Sequence, residues 1–304
     1  MIKRTLFFSQ PAYLSTNNKQ LKVQFADNDQ SNKSIPIEDL GYLILEHPQI
    51  TLTNGLIREL VKNKTAVITC DAQHLPCSFL QPLVGHTQQG ERMRFQLEAS
   101  VPLKKQLWQQ TVRSKINNQS AHLDKREKNS LKLKRWISQV KSGDSQNHEA
   151  YAAAYYFQHI FDIEGFSRNQ KGMSPNNLLN YGYAILRAVS ARAIVSTGLL
   201  PSLGIFHHNK YNTFALADDL MEPYRPFVDI LVYDLVQTGE SMEHLNKVIK
   251  SELLKIPAMD VYIDGNNSPL MNAMSRTTNS LYECFAGSSR KLLYPEVVVS
   301  IHDA

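Results

Sequence analysis

The spacing of hydrophobic positions changes part-way along the chain. Up to about residue 90 they fall in short runs of the length and residue type of β-strands. These runs are Thr5-Leu6-Phe7-Phe8, Leu21-Lys22-Val23-Gln24-Phe25, Gly41-Tyr42-Leu43-Ile44-Leu45 and Ala66-Val67-Ile68-Thr69. Leu21 to Phe25 alternates apolar and polar, which predicts a half-buried strand. The polar stretch Ala26-Asp27-Asn28-Asp29-Gln30-Ser31-Asn32 predicts a turn, because Asn, Asp and Ser side chains can bond their own backbone. Residues 54–62 break the series as a short helix, with Leu56 and Leu60, and Ile57 and Val61, at i,i+4 spacing.

From Val101 the period lengthens. Leu103, Leu107, Trp108, Val112 and Ile116 recur at helical spacing, with Lys104, Lys105, Arg113 and Lys115 at other positions, so this helix is expected to bury one face and show a basic one. Tyr151-Ala152-Ala153-Ala154-Tyr155-Tyr156-Phe157 with Ile160-Phe161 is apolar on nearly every side, which predicts a buried helix. Ser174-Pro175 fits an N-cap followed by proline at the first helical position, and Gly198 with Pro201 closes the same helix. The Gln- and Gly-containing stretch at residues 86–91 marks a boundary. The expected fold class is α+β, a β-rich N-terminal domain over residues 1–90 followed by an all-helical C-terminal domain over 91–304.

Composition agrees with a folded protein. The 304 residues are 42% hydrophobic and 20% charged, close to ordinary globular usage and long enough for two domains. The apolar run after Met1 stops at Gln10-Pro11, too short for a secretory leader, and no stretch has the ~20 apolar residues of a bilayer span. No membrane role and a cytoplasmic location follow as expectations. Cys70, Cys77 and Cys284 form no CxxC pair or zinc-like cluster and read as inert thiols, with Cys70 in the core because it follows a strand.

A net charge of +5 says little until its distribution is considered. Lys104 to Lys141 contains eleven Lys and Arg against Asp124 and Glu127, a footprint for an anion. Between Ile205 and Leu245 seven acids face only Lys210 and Arg225.

Several acids and histidines could carry chemistry. Glu149 opens the buried helix, where it serves either as a favourable charge on the helix N-terminus or as part of a site. His207 and His208 lie in a loop after Pro201, placed for surface or for function. Asp219, Glu222 and Arg225 fall at successive i,i+3 positions and share one helical face, either an ion-pair face or a site. Pro223 interrupts that helix. Glu149, a histidine and Glu222 would together suit Mg²⁺ or Mn²⁺, hard cations that favour oxygen ligands, with the imidazole tilting preference toward Mn²⁺.

Four blocks carry a resemblance to a known family. They are Glu149 with Ala152-Ala153 and Tyr156-Phe157; Asn177-Leu178-Leu179-Asn180-Tyr181-Gly182-Tyr183; Gly198-Leu199-Leu200-Pro201-Ser202-Leu203-Gly204-Ile205-Phe206-His207; and Asp219-Leu220-Met221-Glu222-Pro223-Tyr224-Arg225-Pro226. In this order the chain resembles the CRISPR-associated adaptation integrase, most nearly the version of type II systems. Leu107-Trp108-Gln109-Gln110 and Arg290-Lys291-Leu292-Leu293-Tyr294-Pro295 extend the likeness over nearly the whole chain.

The resemblance implies that Glu149, His207 and Glu222 are the catalytic residues and the ligands of Mg²⁺ or Mn²⁺. His207 is preferred to His208 because it completes Gly204-Ile205-Phe206-His207. Asp219 is kept as a neighbour of the metal or an alternative ligand, and Arg225 as a brace. The resemblance further implies a homodimer joined through the N-terminal sheets. Two such dimers would flank a dimer of a small ferredoxin-like partner in a heterohexamer that holds double-stranded DNA fragments and CRISPR repeat DNA. Insertion of the fragment by transesterification, hydrolysis by a general metal-dependent nuclease, and a non-catalytic DNA scaffold stand as the three functional readings.

Overall fold

The structure is a computed structural model that describes residues 4–25, 33–72, 74, 76–80, 82, 84–239 and 242–298. The turn expected at residues 26–32 lies outside them. Two compact units divide between Val84 and Gly85.

The first unit holds β1 (Arg4–Phe8), β2 (Ala12–Asn17), β3 (Gln20–Phe25), β4 (Lys33–Pro36), β5 (Leu40–Leu45), β6 (Ile50–Leu52), α1 (Asn54–Lys62), β7 (Ala66–Cys70) and β8 (Pro76–Leu80). Two four-stranded sheets result, in the orders β1-β5-β7-β8 and β4-β3-β2-β6. β5 pairs in parallel with both β1 and β7, and all six of its residues are buried. That is why it reads as an unbroken apolar run rather than an alternation. β2 and β3 form a hairpin closed by Asn18 and Lys19, both at positive φ, as a tight two-residue hairpin turn requires. Thr53 caps α1 by accepting from the Leu56 N–H. Leu56 and Leu60 then pack with Leu14, Leu21, Leu40 and Leu43 in the core.

The second unit comprises α2 (Gln89–Glu98), α3 (Val101–Lys125), α4 (Leu131–Gln139), α5 (His148–Ile160), α6 (Asn176–Ser196), α7 (Ala215–Met221), α8 (Arg225–Gln237), α9 (Lys247–Leu253), β9 (Asp260–Ile263), β10 (Asn266–Pro269) and α10 (Leu270–Phe285). It is helical but for the antiparallel pair β9–β10, which the all-helical expectation omitted; these strands pair around Asp264 and Gly265, both at positive φ. α3 is capped by Ser100 and buries the expected stripe of Leu103, Leu107, Trp108, Val112 and Ile116. Residues 290–297 run along it: the Gln110 side chain bonds the Arg290 carbonyl and the Leu292 N–H, and the Asn118 amide donates to Pro295.

Three local expectations change. α6 begins after Pro175, and Ser174 donates its hydroxyl to the Met242 carbonyl instead of capping the helix. α5 is open on one side, where Ala150, Tyr151, Ala154 and Gln158 are exposed, Tyr151 by 60%. Cys70 is only partly buried, and the core thiol is Cys284. No helix among the described residues is long and apolar enough to cross a membrane.

Candidate active site

The site forms where α3, the start of α5, the loop before α7 and the break between α7 and α8 meet. Pro223 lacks an N–H and cannot continue α7 as a regular helix. Glu222–Tyr224 therefore forms a single 3₁₀ turn before α8 starts at Arg225. The Pro223 carbonyl left at this break accepts from the Asn118 side chain at 2.8 Å. α3 thereby clamps the turn that carries Glu222.

One helical turn before Asn118, Lys115 reaches the same place. Its Nζ lies 2.8 Å from Glu149 Oε1 and 2.6 Å from Glu222 Oε2. The three side chains are 9%, 19% and 7% exposed, so this is a buried cluster and not a surface ion pair. Arg225 contacts the other oxygen of Glu222 at 2.9 Å, which fits the bracing role expected of it. Burial alone would raise the Glu222 pKa, but Arg225 and Lys115 outweigh it and hold it below the ordinary carboxylate value. Burial likewise opposes the Lys115 charge, and Glu222 and Glu149 outweigh it to keep the ammonium above its usual pKa.

His207 is set by its loop. Its Nδ1 meets Asp219 Oδ1 at 2.5 Å, while Asp219 also accepts the backbone N–H groups of Ile205 at 2.7 Å and Phe206 at 2.9 Å. The carboxylate is 0% exposed and both its oxygens are engaged by the loop, Oδ1 by His207 and Oδ2 by the Ile205 and Phe206 N–H groups. Gly204 permits this closeness: a Cβ there would lie 2.5 Å from the His207 carbonyl oxygen and 2.7 Å from Asp219 Oδ2. From the other side, Trp108 stacks on Phe206 at 4.3 Å between centroids and meets the His207 ring edge-on. The hydrogen bond to Asp219 raises the His207 pKa above its usual value, with smaller contributions from Glu149 and Glu222. Burial raises that of Asp219 despite the imidazole.

With its proton on Nδ1, His207 leaves Nε2 as a free lone pair on a half-exposed ring. His208 is exposed. Among the described residues no three His, Cys, Asp or Glu side chains are already gathered at metal-binding geometry. The two glutamates converge on an ammonium instead. The donor set still fits a hard divalent cation: two carboxylates converge on one ammonium, an imidazole lies within their field, and the buried Glu222 Oε2 is met by the Lys115 charge at 2.6 Å.

The expected basic surface and acidic cluster resolve into pairs. Arg126 meets Asp234, Lys128 meets Asp162 and Lys134 meets Asp124, while Lys115 has left the surface altogether. Lys105, Lys125, Lys132, Arg135 and Lys141 stay exposed. Glu240 lies outside the described residues.

Residues 6–255 match the family model described as CRISPR associated protein Cas1. The chain belongs to the Cas1 family. The Cas1 of Neisseria meningitidis serogroup C (strain 8013), named a CRISPR-associated endonuclease, is 36% identical over 98% of this chain and 97% of its own length. A casposase solved with its integration product shares the fold at a TM-score of 0.81 and 20% identity, covering 100% of this chain and 96% of its own. A chain of a Cas6-RT-Cas1–Cas2 complex matches at a TM-score of 0.71 and 20% identity, with 97% of this chain covered and 36% of the other. Within this Cas1 chain, Lys115 and Asn118 are the site residues that motif reading missed. Sequence reading set Lys115 on the basic face of α3, whereas Lys115 and Asn118 lie on its buried side, eight and eleven residues after Leu107.

Proposed function

We propose that this Cas1 chain is the DNA integrase of CRISPR adaptation, inserting short DNA fragments into a CRISPR array. The observation that carries the reading is that Glu149 and Glu222, far apart in sequence, both reach the Lys115 ammonium, with an oriented His207 within their electrostatic reach. Glu149, His207 and Glu222 would hold one Mg²⁺ or Mn²⁺. When bound, that ion supplies Lewis acidity to a phosphoryl oxygen and offsets charge on the displaced oxygen.

The remaining work belongs to the chain. Asp219 keeps the His207 proton on Nδ1, so that Nε2 is offered as a neutral donor. Arg225 keeps Glu222 ionised. The exposed Lys105, Lys125, Lys132, Arg135 and Lys141 hold phosphates without reading bases. The 3′-hydroxyl of the fragment attacks a phosphodiester at the repeat boundary. One P–O bond forms and one breaks, and the proton lost by the attacking hydroxyl is balanced by one gained at the released 3′ oxygen. No bond energy need be supplied from outside.

The β-rich unit serves as the dimerisation domain and residues 85–304 as the catalytic domain. Two dimers flank a dimer of a small ferredoxin-like partner, in the cytoplasm where the array lies. The likeness to a chain of a Cas1–Cas2 complex supports such a partner.

The test combines supercoiled plasmid bearing a CRISPR repeat, a labelled fragment with free 3′-hydroxyls, the small partner, and Mn²⁺ or Mg²⁺. Metal-dependent transfer of label into plasmid by the wild type, lost in Glu222→Gln, is the expected result. Cutting without transfer would indicate a hydrolytic nuclease. Equal transfer by both proteins would remove Glu222 from the chemistry.

A further inference from the structure

Lys115 stands between the two carboxylates proposed to hold the divalent cation. Its ammonium contacts one oxygen of each glutamate, at 2.8 and 2.6 Å, and among the described residues no other lysine or arginine contacts both. Two buried carboxylates brought this close repel each other unless a cation lies between them. Arg225 neutralises one of them from the far side of Glu222. The second positive charge at the point of convergence comes from Lys115.

We propose that Lys115 is a built-in substitute cation: it keeps Glu149 and Glu222 together in the resting protein and is displaced when the divalent ion enters, so it competes with the metal and lowers its affinity. This rests on the assignment of Glu149 and Glu222 as metal ligands. The side chain suits an exchange. Lysine carries a compact charge on a flexible four-carbon stem, and its backbone is held independently by the buried stripe of α3, so the head group can swing without moving the helix. An adjacent phosphate oxygen of bound DNA would be the natural new partner for the displaced ammonium. Lys115 is on this account a positioning residue, present at the site in both states but between the carboxylates only in the first.

The experiment compares Mn²⁺ binding, by electron paramagnetic resonance of the free ion, in the full-length wild type, Lys115→Gln, Lys115→Arg and Glu222→Gln, with thermal midpoints measured with and without Mn²⁺. Lys115→Gln keeps an N–H donor but no charge. It should melt lower than wild type without metal, bind Mn²⁺ about tenfold tighter, and gain more in melting temperature from the ion, as linkage requires. Lys115→Arg keeps the charge and should bind Mn²⁺ no tighter than wild type. A role limited to packing would lower the melting temperature but would not tighten metal binding. If wild type binds Mn²⁺ through Glu222 and Lys115→Gln binds it equally or more weakly, the exchange is overturned while the metal site stands. Equal tightening in Lys115→Arg also overturns it. If wild type shows no Mn²⁺ binding that Glu222→Gln removes, both the site and the exchange fall.

Discussion

Trp108 lies flat against Phe206, with 4.3 Å between ring centroids and 1° between planes, and its edge-on contact with the next residue steadies His207. The indole is fully buried and joins α3 to a loop that has no regular structure of its own. Trp108→Ala should lower unfolding stability by about 3–5 kcal/mol. Trp108→Phe keeps a stacking face and should retain most of both stability and fragment joining. Urea melts and the plasmid assay measure the two effects. Wild-type joining by a folded Trp108→Ala protein would show that the stack contributes stability alone.

Asp219 and His207 form the other support of the loop. Asp219→Asn preserves shape but can favour the wrong imidazole tautomer, so joining should fall by roughly 10–100-fold, as for other groups that orient metal-bound histidines. The far-ultraviolet circular dichroism spectrum should be unchanged. Unaltered joining together with unaltered Mn²⁺ affinity would count against an orienting role.

Gly204 is constrained by space. The backbone oxygen of His207 and the Asp219 carboxylate would both stand within 2.7 Å of an added Cβ, and neither is the flexible tip of a long side chain. Gly204→Ala should therefore push His207 out of position, with a stability cost of about 1–3 kcal/mol typical of overpacking and a larger proportional loss of joining. Thermal midpoints and joining rates measured side by side would reveal whether activity falls further than stability.

A buried polar chain beside the site gives a prediction in pH. Tyr183 donates to Asp229 at 2.5 Å, and the Tyr156 hydroxyl meets His122 Nδ1 at 2.7 Å. Burial pushes the Asp229 carboxyl up to about 6 even though the Tyr183 and Tyr156 hydroxyls bond it, and burial followed by Arg126 pushes the His122 imidazole down to about 3. Asp229 is raised above its ordinary 3.8. Its contribution to stability is complete below that value and is lost as pH rises through about 6. His122 is depressed below 6.5. Its contribution is complete above that value and is lost as pH falls toward about 3. The two oppose each other between about pH 4 and 6. His122→Asn should make stability fall with rising pH across that window, and Asp229→Asn should make it rise. Urea unfolding at several pH values decides this, and slopes of the same sign in both variants would contradict it.

Much of the architecture was legible in the chain because it depends on local periodicity. The unbroken apolar run of β5, the i,i+4 pairs of α1 and the stripe of α3 are each set by neighbours along the sequence, and each formed where its pattern lay. Pro223 announced the break before α8 for the same reason: a missing N–H is a local fact. The short strands β2, β4, β6 and β8 were not legible, since their pairing depends on partners supplied by the rest of the sheet.

At the site the division is similar. The motif blocks of the sequence contain Glu149, His207 and Glu222, and the family resemblance, through Gly204-Ile205-Phe206-His207, is what favours His207 over His208. Tertiary structure alone decided that Asp219 is consumed by the loop it orients and that Lys115 leaves the basic surface to stand between two acids. The physical reason is that a charge counted along a sequence has no direction. Lys115 occupies a position on the buried face of α3, and only the packing of α5 and the turn at Glu222 against that face turns an apparent surface cation into the counter-charge of a buried site.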